Sequence, residues 1–390
     1  MDFDFSEDQV MLRNLVREFL TEQSSVTHVR KMIEDETGYD PNVYKQLVGL
    51  GITPFPEQYG GGELGMIEQC IILEEMGRIP YPGPWFATVA LAGSAIMASG
   101  DENAMARYLP DVCNGDLTMT LAFLEDSLGW GPDAVAMTAT KQGDEYVLNG
   151  EKRFVPFGHT ADIILVAVRS GNGHSLIAVP KGASGLTVTP TPVLDLTSKN
   201  ATLTFDNVRV PAENLVGTEG GAWEAIDATL LAAAVGASAE MLGASRKSLE
   251  MSTDYAKVRK QFGQFIGQFQ AVKHMLAEML EQVENSHAAV YYAAWAMCAG
   301  AADTKMAASV AKSTLNESSK KVCGDAIQAH GGIGYTWEYD LHLYWKRAKY
   351  YEPLFGDTAY HREKVLEEAM HGRGGALTEA VVWQQPVPNR

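Results

Sequence analysis

Positive charge is scarce in this chain. Its 390 residues hold 31 Lys and Arg against 49 Asp and Glu, a formal net charge of −18. Such a surface repels a phosphate backbone, so nucleic acid is excluded as an expected partner. A local arginine, or the free N–H groups of a helix start, can still bind a phosphorylated cofactor. Cysteine is scarcer. Cys70, Cys113, Cys298 and Cys323 are scattered, without a Cys-x-x-Cys spacing, and buried free thiols are expected. No histidine cluster has metal spacing, so no metal is expected. The acidic start Met1-Asp-Phe-Asp-Phe5 lacks the basic-then-apolar order of a signal peptide. No apolar run is expected to span a bilayer; the most apolar, Ala228 to Ala237, is soon followed by charge. A cytoplasmic protein is the expectation. Internal repeats and low-complexity segments are also missing.

What is present is a globular composition, 46% hydrophobic and 21% charged, in a chain long enough for two or three packed domains. Ser6 precedes a run with Val10, Leu12, Leu15, Val16, Phe19 and Leu20 apolar, which is an N-cap and one greasy helix face. Asp40-Pro41 reads as another helix start. Helical patterns continue, broken by Tyr59–Gly65, to residue 116. From Leu117 to about Gly217 short β-rich runs take over. Ile163–Arg169 and His174–Pro180 flank Ser170-Gly-Asn-Gly173 as a hairpin. After Gly220 long helical patterns cover Trp223–Val258, Phe269–Ala299, Met306–Ala329 and Trp337–Tyr351. The fold class is therefore α+β. An N-terminal helical domain (1–116) precedes a middle β domain, a compact barrel or sandwich (117–218), and a C-terminal antiparallel helical bundle (219–390).

Two local sequences narrow the function. One is Tyr255-Ala-Lys-Val-Arg259-Lys-Gln-Phe262-Gly263, followed by Ile266-Gly-Gln-Phe-Gln270. The other is Gln328-Ala-His-Gly331-Gly332-Ile-Gly334-Tyr335. Arg259 is a permanently charged, forked donor suited to a pyrophosphate. Gly331 and Gly332 let backbone N–H groups approach a ligand. With Tyr59-Gly60-Gly61 and Leu148-Asn149-Gly150, these stretches resemble the acyl-CoA dehydrogenase family over nearly the whole chain. The resemblance implies FAD and α,β-dehydrogenation of an acyl-CoA thioester. It also implies electron-transfer flavoprotein as electron acceptor and an oligomer, a dimer or tetramer. Arg259, Phe262, Gln270, Gln328, Gly331 and Gly332 would serve the pyrophosphate and adenine of a neighbouring subunit's FAD. Phe123, Leu124, Phe154 and Pro156 would lie beside the flavin ring, and Phe355 and Gly356 beside the acyl group.

The resemblance fails where the chemistry is done. The family's Thr-Glu-Pro falls on Leu124-Glu125-Asp126, its Ser-Asp on Trp130-Gly131, and its Trp-Ile-Thr on Phe154-Val155-Pro156. Phe154 can still stack on a ring. Pro156 has neither hydroxyl nor N–H to offer. The two positions where the family carries its catalytic glutamate hold Phe355 and Ile226. Asp227, Glu352 and Asp357 remain as candidate bases, each with a competing structural role. Tyr335–Leu343 and Gly356–Arg362 further resemble a branch whose enzymes are built from unlike subunits. Three readings follow: a complete FAD-dependent dehydrogenase, a non-catalytic subunit that completes an FAD site in a heteromer, or a flavoenzyme of altered chemistry.

Overall fold

The structure, a computed structural model, describes residues 4–371. Residues 384–390, whose Gln-Gln-Pro-Val-Pro-Asn-Arg sequence predicts a loose tail, lie outside them. Helix α1 (Glu7–Gln23) begins with a capping box: the Ser6 hydroxyl accepts from the Gln9 N–H while the Gln9 side chain accepts from the Ser6 N–H. Helices α2 (Val26–Glu34), α3 (Pro41–Val48) and α4 (Met66–Arg78) follow. Asp40 caps α3, with Pro41 at its first position. A π-helical stretch, Phe86–Gly93, runs into α5 (Ser94–Ser99), and α6 (Glu102–Cys113) closes the region. Such stretches are rare and tend to mark functional sites; this one sets Phe86 against Tyr351 and Phe355 of the C-terminal region.

The middle region is one continuous sheet. Its strands are β1 (Met119–Ala122), β2 (Thr138–Gln142), β3 (Glu145–Pro156), β4 (Ile163–Ser170), β5 (Gly173–Pro180), β6 (Leu186–Thr191), β7 (Asn200–Pro211) and β8 (Leu215–Val216). The order is β6-β7-β3-β2-β4-β5-β8, with β1 parallel to β4. The expected hairpin is β4–β5, paired from Ile163↔Pro180 to Ser170↔Gly173. Leu148, Val166, Ile177, Leu203 and Val208, from four of these strands, share one core.

The bundle consists of α7 (Trp223–Val258), the two-stranded β9–β10 (Lys260–Gln261, Gln264–Phe265), α8 (Gln270–Ala299), α9 (Thr304–His330), α10 (Leu341–Tyr351) and α11 (Thr358–His371). Helix α10 starts later than its sequence pattern suggests. Residues 337–340 turn instead, and Arg30 takes the Asp340 carboxylate at 2.8 Å. Among the described residues α7 is long and apolar enough to cross a membrane, but 83% of its apolar window is buried inside the protein. It is a core helix, locked to α4 by reciprocal glycines. A Cβ on Gly77 would sit 2.0 Å from the Glu240 carbonyl oxygen, and one on Gly243 would sit 1.9 Å from that of Glu74.

One arginine ties all three regions together. Arg347 on α10 is buried and donates to Asp195 and Thr197 of the middle region, to Glu240 of α7 (2.5 Å each), and to the Tyr81 carbonyl (3.1 Å). Burial would lower its pKa, but the two carboxylates outweigh it and raise it. The cysteines are buried free thiols.

Candidate functional site

The candidate residues gather at two ends of the bundle. At the first, β1, β3 and the loop after α10 meet. Phe123, Leu124, Phe154 and Pro156 line one slot together with Leu91, Trp130 and Phe355. Phe123 and Leu124 are held by their carbonyls, which accept from Lys152 Nζ (3.1 Å) and the Arg153 N–H (2.8 Å). Lys152 is buried and ion-paired at 2.6 Å with Glu125, and burial pulls its pKa down to about 8. The Pro156 carbonyl accepts from the Thr120 hydroxyl at 2.6 Å. The free volume of this slot is about 20 Å³, room for roughly one water. A neighbouring gap beneath Phe86, Tyr351 and Phe355 has about 30 Å³.

The loop carrying Phe355 is clamped by its main chain. Lys312, fully buried on α9, donates to the carbonyls of Tyr351 (2.9 Å), Glu352 (3.2 Å) and Gly356 (3.1 Å) and to Asn316 Oδ1 (2.5 Å). His361 Nε2 lies 2.8 Å from the Phe355 carbonyl oxygen, and its Nδ1 lies 3.2 Å from the Ser309 hydroxyl. Burial and then the Lys312 charge push the His361 pKa down to about 4. The neutral ring therefore donates from Nε2 and accepts at Nδ1. A Cβ on Gly356 would meet Tyr360 at 2.4 Å and His361 at 2.7 Å, so this position, at φ +105°, requires glycine.

The candidate carboxylates are already engaged. Glu352 lies 2.8 Å from Lys320 and also pairs with Lys349. Its partial burial would raise its pKa, yet these two cations hold it low. Asp357 accepts from the Tyr360 N–H at 2.8 Å at the start of α11, an N-cap. Asp227 pairs with Lys305 at 3.1 Å. Of the three, Asp227 alone lines an open crevice, of about 300 Å³, beside Trp130, Trp223 and Phe355. Ile226 is buried at 0% exposure.

The second end is open. Tyr255, one turn before Arg259, stacks on His330 at 4.3 Å, which brings the last turn of α7 against the last turn of α9. The two sequence motifs thus share one surface. Arg259, Gln270, Gln328, Gly331 and Gly332 are exposed there. A Cβ on Gly331 or Gly332 would meet nothing within 4 Å. Phe262 is 93% exposed at φ +50°. This leaves a large apolar ring in water on a backbone conformation that is unfavourable for it.

The family descriptions "Acyl-CoA dehydrogenase, N-terminal domain", "middle domain" and "C-terminal domain" match residues 6–116, 120–208 and 220–370. The probable acyl-CoA dehydrogenase YngJ of Bacillus subtilis is 32% identical, over 95% of this chain and 100% of that protein. The chain belongs to the acyl-CoA dehydrogenase family. Butyryl-CoA dehydrogenase from Megasphaera elsdenii superposes with a TM-score of 0.88 at 28% identity, covering 95% of this chain and 100% of that one. The ChsE4-ChsE5 complex from Mycobacterium tuberculosis gives 0.86 at 26% identity, with 95% and 99% covered.

Membership in the acyl-CoA dehydrogenases gives the chemistry: FAD-dependent α,β-dehydrogenation of an acyl-CoA thioester, an oxidoreduction of a CH–CH bond. The two ends of the site answer differently on FAD. The open end fits a pyrophosphate and adenine, with a guanidinium, that of Arg259, exposed and without a carboxylate partner among the described residues, a Gly-Gly cradle and an uncovered aromatic. The slot does not fit a three-ring isoalloxazine. Two contributors to the site escape sequence reasoning. Lys312 and His361 look like ordinary polar helix residues until α9, α10 and α11 pack together.

Proposed function

We propose that this chain serves acyl-CoA dehydrogenation as one of two unlike subunits in a dimer or a dimer of dimers. It lends Arg259 and the Gly331–Gly332 turn to an FAD whose ring, and the base for the α-proton, belong to the partner subunit. The observation that carries this reading is the lining of the slot. Among the described residues around it none is a carboxylate, and it is lined by Phe355, the residue on which the family resemblance puts the base. The candidates Asp227, Glu352 and Asp357 are each paired or capping a helix. FAD, when bound, would supply the hydride acceptor; the part of this chain would be to hold its phosphate end through Arg259 and the Gly331–Gly332 turn. The ChsE4-ChsE5 likeness, a complex of two named chains, supports an unlike partner. The likeness to a solved structure of the electron transferring flavoprotein of Acidaminococcus fermentans supports that class of acceptor for the electrons. The buried free thiols suit the reducing cytoplasm.

The test is a visible absorption spectrum of the purified chain, with and without acyl-CoAs of graded bulk. No flavin bleaching is expected from the chain alone, and bleaching is expected once a ring-binding partner chain is mixed in. Bleaching by the chain alone overturns the reading. The crevice at Asp227 favours a second reading, altered chemistry with Asp227 as base. Asp227→Ala in the mixed enzyme separates the two, because only that reading requires flavin reduction to be lost.

A further inference from the structure

The slot is lined by rings from the middle region and the bundle loop, and their stack continues past it to Phe86 of the N-terminal region. Phe123 and Trp130 lie nearly parallel, 5.7 Å apart with planes 5° from each other. Trp130 continues onto Phe355 at 5.3 Å, and Phe355 stacks on Phe86 at 5.7 Å. Phe86 then meets Tyr351 at 5.6 Å. The series therefore runs from the π-helical stretch through the bundle loop to the middle sheet. These are close aromatic contacts, with spacings and tilts typical of packed rings. Phe355 is 6% exposed, and it holds a left-handed backbone (φ +60°) under the His361 and Lys312 clamp. A loop held in that conformation by two buried side chains is fixed, so its ring stays in the slot.

We propose that Phe123, Trp130 and Phe355 form a built-in plug, in which this chain's own ring stack takes the place of a planar heteroaromatic ligand between sheet and bundle. The subunit then stays folded and docked without a flavin ring of its own. The inference rests on the unlike-subunit reading and adds what fills the vacated half-site. It concerns a molecule-filling role for these side chains, which a mere loss of the base would not require.

The experiment uses the full chain alone and lumiflavin, the isoalloxazine without its phosphate arm, so that the open phosphate end cannot contribute. Thermal unfolding and quenching of lumiflavin fluorescence are read for the wild type, Trp130→Phe, Trp130→Ala and the double variant Trp130→Ala/Phe355→Ala. The wild type and Trp130→Phe are expected to bind no lumiflavin and to melt alike. Trp130→Ala and the double variant are expected to melt several degrees lower, the double variant more so, with lumiflavin quenched saturably and raising the melting temperature. If the double variant does not fold, Trp130→Ala alone decides. Saturable lumiflavin binding by the wild type overturns the plug, as do alanine variants that melt like the wild type and take up no lumiflavin. The unlike-subunit reading fails separately, on bleaching of FAD by acyl-CoA in the wild-type chain alone.

Discussion

His361 on α11 holds Phe355 by its main chain rather than its ring: Nε2 donates to the Phe355 carbonyl across 2.8 Å. Burial and the Lys312 charge keep the ring neutral against the pull of this bond, which a protonated ring would also make; what protonation removes is the Nδ1 acceptor facing the Ser309 hydroxyl. The folded pKa is about 4, against 6.5 for an ordinary histidine. Between those values the unfolded chain binds more protons than the folded one, so stability rises with pH there and is lost as pH falls from 6.5 towards 4. The shift corresponds to about 3 kcal/mol. Urea titrations at pH 7 and pH 5 should show a larger loss for the wild type than for His361→Gln, which can donate to the carbonyl and has no proton to gain. Equal losses would remove His361 from the acid response.

Arg347 is expected to be the single most costly surface-distant residue to change. Arg347→Met leaves Asp195 and Glu240 buried without a cation. Breaking such a pair costs about 3–5 kcal/mol. Arg347→Lys is expected to recover little, because one ammonium cannot reach two carboxylates, a hydroxyl and a carbonyl set out for a fork. Denaturant unfolding followed by circular dichroism measures both, and a lysine variant as stable as the wild type would contradict the geometry.

Much of the fold is written locally. The Ser6 capping box, the Asp40-Pro41 start and the β4–β5 hairpin each follow from a few adjacent residues. The motifs around Arg259 and Gly331 were legible for the same reason, since each is a contiguous string. What the sequence hides is convergence. Phe86, Trp130 and Phe355 lie more than two hundred residues apart end to end, and only the packing of three regions puts their rings in one stack. The fate of Asp227 was hidden likewise: its partner Lys305 stands on another helix, α9, and no spacing rule pairs them, whereas one of the two partners of Glu352, Lys349, is its neighbour three residues back.

Restoring a glutamate at the family's base position should not restore activity. In Phe355→Glu the new carboxylate would face Phe86 and Trp130, rings that cannot solvate it. Its pKa would rise, and the chain would lose about 1–3 kcal/mol from burying an unpaired polar group. Trp130 and Phe123 would still stand in the slot. The expected spectrum of this variant, reconstituted alone with FAD and treated with acyl-CoA, is unbleached. Bleaching would mean that loss of the base is the only defect of this half-site and that the rings do not close it.

Arg259 offers the opposite experiment, because its effect should appear only in the assembled oligomer. The side chain is exposed and no carboxylate pairs with it among the described residues. Arg259→Ala should therefore change the stability of the isolated chain by less than about 0.5 kcal/mol. In the oligomer the guanidinium would face a pyrophosphate, and a hydrogen bond to a charged group is worth about 1.5–3 kcal/mol. FAD retention should weaken by roughly 10- to 100-fold on that basis. The loss should shrink as salt rises, since an interaction between charges near the surface is screened in the wild type and absent in the variant. Flavin fluorescence released on dilution of the mixed oligomer measures this at two ionic strengths. A variant chain that lowers retention equally at both would place Arg259 in subunit packing instead of at the phosphate.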